Sequence, residues 1–216
     1  MPEATYFTKA IVIKRQAFNE SSGRVIVFTE KFGKQDLIAR GLKKLDSKLA
    51  AHLEPLNFID LMIVKGKHYD YVGSAINKKS FSNLKNDLDK ITSAGEAFSL
   101  FNKLIKTNLV DQEVFNLLLN YLVVLDSVQS EGLYYYFLSR LFLFKLIILL
   151  GYCPAIEANS IKVENYIISK NLEANRILLI KKMIDFDLIK IIKEVKFNKA
   201  DLTFFIEMTN RILKYY

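Results

Sequence analysis

Asp185-Phe186-Asp187 sets two carboxylates on alternate positions, an arrangement that could offer oxygen ligands to a cation. The pair stands just before an apolar stripe of helical period, where aspartate serves as an N-cap by accepting the orphan N–H groups of the first turn, and capping is the expected role. His52 and His68 each provide an imidazole, yet neither has a nucleophile or an orienting carboxylate at a recognisable spacing. Cys153 follows the end of an apolar run and reads as a small buried residue. Gly41-Leu42-Lys43-Lys44 lacks the first glycine and the hydroxyl residue of a phosphate-binding loop, so it reads as a basic turn. Gly-x-Ser-x-Gly and His-Glu-x-x-His are absent. The expectation is a protein that is not an enzyme, uses no cofactor and holds no metal, since one Cys and two scattered His cannot close a tetrahedral zinc site.

The residues suited to binding are more numerous. Residues 1–80 carry 14 Lys/Arg against 8 Asp/Glu, net +6 of the +8 of the whole chain. Within them Arg24, Lys31, Lys34, Arg40, Lys43, Lys44, Lys48, Lys65 and Lys67 flank the expected turns and strand edges, where they could track the phosphates of a polyanion. Tyr69 and Tyr71 share one strand face because strand side chains alternate, which suits stacking on bases; Phe28 and Phe32 are weaker candidates. Two structural alternatives stand beside this reading: a solvated basic surface without a partner, and aromatics that pack in the core or along an edge.

Five of the eight glycines precede residue 80 and separate short β-branched or aromatic runs. That pattern predicts strands over 6–15, 24–30, 34–40, 56–64 and 69–76, a small five-stranded barrel or sandwich for which the OB-fold is one solution. After residue 80 the period lengthens from 2 to 3.6. Ser93-Ala94-Gly95-Glu96 reads as a capping box, Val114 to Leu125 carries an apolar stripe, and 133–150 is apolar nearly all round, the mark of a central bundle helix. Two further amphipathic helices follow Leu188 and Leu202, while 155–176 has weak periodicity and room for a short strand near Val163, Tyr166, Ile167 and Ile168. The expected class is α+β in two domains, 1–80 a β-barrel of OB-fold type and 81–216 an all-α helical bundle. Arg140 and Lys145 interrupt the apolar run 133–152, which argues for a buried helix of a soluble protein over a membrane span. With no signal peptide at the start, a cytoplasmic, nucleoid-associated location is expected.

One ordered set of signals joins these pieces: Glu20-Ser21, Phe28-Thr29, Gly33, Ala39-Arg40-Gly41, Ser47-Lys48-Leu49 and Leu53-Glu54-Pro55. In that order they resemble the RecO family of recombination mediators, as does Arg140 to Pro154 with its Leu150-Gly151-Tyr152. The resemblance implies an OB-fold followed by a helical domain, and an ATP-independent role in DNA repair and recombination. It implies binding to single- and double-stranded DNA and strand annealing. It further implies contacts with RecR and with the acidic tail of single-strand-binding protein, and indirect action on RecA. Many relatives carry a four-cysteine zinc module after the Gly-Tyr; with Cys153 alone, this chain is expected to be a member that lacks it. Arg140 and Lys145 project about 140° apart at 100° per residue, and Arg140 lies in the matched motif. Both are therefore candidate protein-binding residues, Arg140 at the rim of an apolar groove where it would receive the carboxylates of that acidic tail; the alternative for Arg140 is a structural role, capping neighbouring carbonyls or pairing with an internal carboxylate. The other functional readings are a general OB-fold nucleic-acid binder, including an RNA-binding accessory, and a protein-interaction module.

Overall fold

The computed structural model describes residues 4–107, 109–157, 159–163 and 166–216. They form two compact units, Met1–Ser82 with Ile105–Phe115, and Asn83–Leu104 with Asn116–Tyr216.

In the first unit, alternating residues build five strands: β1 (Thr5–Ala17), β2 (Gly23–Thr29), β3 (Gly33–Ala39), β4 (Phe58–Val64) and β5 (Asp70–Lys79). They close into a barrel in the order β1-β2-β3-β5-β4. Each strand lies within about three residues of its expected range, because the period-2 patterning and the turn glycines agree. Ala10, Val12, Val25, Val27, Leu37, Ile59, Leu61 and Ile63 point inward and are buried together. Leu42 and Leu53, from the connection between β3 and β4, close one end of this interior, with Leu49 and Ala50 packed behind them.

The parallel pairing of β3 with β5 is short, confined to Leu37 with Asp70 and Ile38 with Tyr71. Below it the seam is filled by chain from later in the sequence: Lys34 forms a bridge with Thr107, and the Lys34 ammonium donates to the Ile105 carbonyl at 3.1 Å. Gly33, at φ +64°, is required here, since a Cβ would fall 2.0 Å from the Leu109 carbonyl oxygen. Phe115 stacks on Phe28 at 6.3 Å, so Phe28 is wholly buried and cannot meet a base.

The helices are α1 (Ser82–Lys85), α2 (Leu88–Leu104), α3 (Gln112–Ser127), α4 (Gly132–Leu149), α5 (Ala174–Asp185), α6 (Leu188–Glu194) and α7 (Lys199–Leu213). α4 is long and apolar enough to cross a membrane, but it is buried in the second unit against α2, α5, α6 and α7. Its apolar surface is thus satisfied by protein.

Two expectations are corrected. The Ser93 to Glu96 motif lies inside α2, five residues past its start; Asp87 caps the helix instead, accepting from the N–H groups of Asp89 and Lys90. Ser93 is buried and its carbonyl receives the Ser139 hydroxyl, so the motif matched by composition while Leu88 to Thr92 had already begun the helix. The second unit is also not all-α: β6 (Ala155–Glu157), β7 (Ser160–Val163) and β8 (Tyr166–Ser169) form an antiparallel sheet. Strands this short give too few alternations for the sheet to stand out in the sequence, and only β8, with the Val163 end of β7, falls where a short strand was expected.

Candidate nucleic-acid interface

The outer faces of β2 and β3 and the loops beside them gather most of the expected binding residues. Arg24 projects from β2 and forks onto Asp36 of β3, its Nε 2.7 Å from Oδ1, an ion pair that raises the arginine pKa further. Arg40, just past β3, lays its guanidinium 4.0 Å above the Tyr71 ring of β5. The parallel register of Ile38 with Tyr71 sets those two strands side by side and makes the stack possible.

Two loops frame this face. In the β1–β2 loop the Asn19 carboxamide accepts from the N–H groups of Ser21 and Ser22, holding a turn that presents Phe18. The exposed Phe18 meets the exposed Tyr69 of the β4–β5 loop edge to face, ring centres 5.6 Å apart. Gly66 permits the tight return of that second loop, since a Cβ there would lie 2.2 Å from the Tyr69 carbonyl oxygen and 2.7 Å from the Tyr71 ring. The β3–β4 connection joins the frame, because the Lys43 N–H donates to the Ser21 carbonyl and its ammonium to the Asn19 carbonyl at 3.1 Å. Strands 2 and 3 with the 1–2 and 4–5 loops form the surface on which OB-folds bind oligonucleotides.

Charge divides the expected residues into three groups. Arg40, Lys43, Lys44, Lys48 and Lys67 are exposed and form no ion pair among the described residues. Arg24 and Lys65 are half-neutralised, Lys65 by Asp70 at 2.5 Å. Lys31 and Lys34 sit apart at the β2–β3 turn, the far end of that hairpin; Lys34 is drawn against the Ile105 carbonyl, and burial lowers its pKa. Phe18 was not foreseen, although an aromatic in the turn Phe18-Asn19-Glu20-Ser21 was a readable signal.

In the second unit Arg140 is 5% exposed, not at a rim. Its guanidinium meets the Glu96 carboxylate at 3.1 Å, the Asn210 carboxamide oxygen at 2.6 Å and the Tyr136 hydroxyl and ring. An internal carboxylate pair is what the geometry holds. Lys145 donates to the Ile184 carbonyl at 2.8 Å, and burial pushes its ammonium down to about 8, with Asp185 and Asp187 partly opposing. Asp187 itself caps α6 by accepting from the Lys190 N–H.

Cys153 is exposed, a correction that follows from the chain turning outward at Gly151, φ +94°, after α4 ends. His52 is fixed by the Asn77 N–H donating to its Nδ1 at 3.2 Å. Among the described residues no three His, Cys, Asp or Glu side chains gather into a metal-binding group.

The model of the recombination protein O N-terminal domain matches residues 1–81, which hold this barrel and its loops. A DNA repair protein RecO of Clostridium perfringens (strain 13 / Type A) is 34% identical over 163 residues, 73% of this chain and 65% of the relative. The chain belongs to the RecO family. RecO of Roseiflexus sp. (strain RS-1) is 30% identical over 71% of this chain and 53% of its own length, and that of Caldicellulosiruptor bescii 31% identical over 67% and 58%. The chain thus spans between about half and two thirds of these RecO relatives.

Proposed function

We propose that this RecO-family chain acts in DNA repair as a recombination mediator without a catalytic centre, binding single- and double-stranded DNA and annealing complementary strands. It would work in the cytoplasm with RecR and the acidic tail of single-strand-binding protein to help RecA assemble. One observation carries the reading: the Phe18–Tyr69 pair and the Arg40–Tyr71 stack lie on loops and strand ends of the barrel whose connections also carry Lys43, Lys44, Lys48 and Lys67, which with Arg40 make five exposed cations with no ion pair among the described residues. Cations that release counterions from phosphates, interleaved with rings that stack on any base, describe a surface for nucleic acid without sequence preference. The DNA repair proteins that the chain matches supply the biological setting. Annealing needs affinity for strands and tolerance of any sequence, and no bond is made or broken.

The test is a fluorescence annealing assay with complementary oligonucleotides, alongside a salt titration of binding. Annealing above the spontaneous rate, with affinity falling steeply with salt, is the expected result. Binding without annealing would favour the general nucleic-acid binder, and a preference for RNA its accessory form.

A further inference from the structure

One end of the barrel is plugged and the other is open. At the open end, Tyr6, Phe32, Gln35, Ile63, Lys65 and Val110 line a cavity of about 360 Å³. Tyr6 precedes the inward residues Thr8, Ala10 and Val12 at even spacing along β1, and Ile63 belongs to the buried interior, so the cavity continues the barrel's inner wall. It exists because β3 pairs with β5 only at Leu37 and Ile38, which leaves the Gln35 end of the seam unsealed by strand. Val110 reaches its edge and is itself 56% exposed.

The lining is aromatic with polar edges. Tyr6 and Phe32 pack edge to face at 5.4 Å, and Tyr6 is still 37% exposed. The Gln35 carboxamide nitrogen is held by the Phe32 carbonyl at 2.7 Å and the Lys34 carbonyl at 3.1 Å, which fixes the side chain at the wall. Lys65 stands at the entrance, half exposed, and Lys67 follows two residues on in the loop that carries Tyr69. That loop therefore runs from the cavity to the Phe18–Tyr69 face.

We propose that this barrel mouth takes one unpaired nucleobase of a single strand crossing the interface, with Tyr6 and Phe32 as its stacking walls and Lys65 and Lys67 on the flanking phosphates. The volume falls in the range of small-ligand sites, about 300–1,000 Å³, and barrel mouths are a common place for them. Charge selects the occupant: an apolar side chain would gain nothing from Lys65 at the entrance, shared with Asp70, or from the exposed Lys67 two residues on, whereas a nucleotide brings a planar ring and an anion together. A base can enter only from a strand whose partner is absent, so the pocket would favour single strands over duplex. This inference rests on the DNA-binding reading above.

The test uses the full chain and two labelled probes of equal length, oligo-dT and an oligomer whose bases are replaced by abasic tetrahydrofuran. Val110→Trp fills the mouth from an exposed position, and Tyr6→Ala removes a wall. Each should weaken oligo-dT binding about five-fold or more while leaving the abasic probe and the salt slope unchanged. Wild-type protein should also photocross-link an iododeoxyuridine strand to the peptide of Tyr6 or Phe32, a readout independent of how the variants fold. Salt-dependent oligo-dT binding that both variants leave unaltered, with cross-links elsewhere, would overturn the pocket and spare the parent reading. Absence of salt-dependent binding to either probe would overturn both.

Discussion

The first unit keeps its cations at the surface, whereas the second buries three of its own. Around the barrel, Arg40, Lys43, Lys44, Lys48 and Lys67 stand in water with no carboxylate paired to them among the described residues. In the helical unit Lys90, Arg140 and Lys145 are 1%, 5% and 9% exposed, each engaged by groups of the same unit. Lys90 donates to the Asp126 and Val128 carbonyls where α3 ends, and its ammonium lies 5.1 Å from the Tyr135 ring. Carbonyls at a helix C-terminus carry partial negative charge, so a buried cation is tolerated there. A lysine in sequence is thus either a contact awaiting a partner or a fastener already closed, and only the fold distinguishes them.

The largest effect should come from stripping the exposed group. Replacing Arg40, Lys43, Lys44, Lys48 and Lys67 together by Ala should lower DNA affinity on the order of a hundred-fold or more at low salt. The log-log salt slope should flatten by about 0.7–0.9 for each phosphate that is no longer neutralised. The same titration on Lys31→Ala with Lys34→Ala should show a smaller change, since those two lie at the far end of the hairpin. An equal change would erase the distinction between the two ends.

Arg140→Ala attacks the other side of the comparison. Deleting a buried guanidinium with three polar partners should destabilise the protein by about 3 kcal/mol in a urea melt, with DNA affinity per folded molecule retained. Loss of affinity for an acidic tail peptide of single-strand-binding protein without loss of stability would return Arg140 to a docking role.

Lys145 sharpens the contrast through pH. Its folded-state value of about 8 lies below the ordinary lysine value of 10.5, so the native state pays a desolvation penalty while the ammonium is charged. The penalty is complete below about pH 8 and vanishes as pH rises through 10.5, so this group makes stability increase across that window. Lys145→Met should remove that increment, of order ~2 kcal/mol, from the pH dependence of the melting midpoint. The smallest expected effect is none: a chelator should leave the melting temperature unchanged and elemental analysis should find no stoichiometric zinc.

Much of the barrel was readable because each strand announces itself twice, in alternation and in its bounding turns. Gly33 and Gly41, at φ +64° and +67°, mark two of those turns. α4 was readable for a different reason, an apolar surface on every side that only a core can satisfy. Non-local facts were not readable. Nothing near Lys34 signals that Ile105 and Thr107 will meet it, and nothing near Arg140 signals Glu96 or Asn210, 44 and 70 residues away. At the interface the residue types were visible, but the neutralising partners Asp36 and Asp70, and the company of Phe18, depended on register and loop closure.

The return of Ile105–Phe115 to the first unit has a consequence for how the chain is made. A barrel that ended at residue 82 could fold as soon as it left the ribosome; this one lacks the filling of its seam and the ring over Phe28 until residue 115 has emerged. The nascent chain therefore carries the five strands with the Lys34 side of the seam unfilled and Phe28 uncovered through the synthesis of α2. Maturation of the binding surface and the start of the helical unit fall in the same interval of translation.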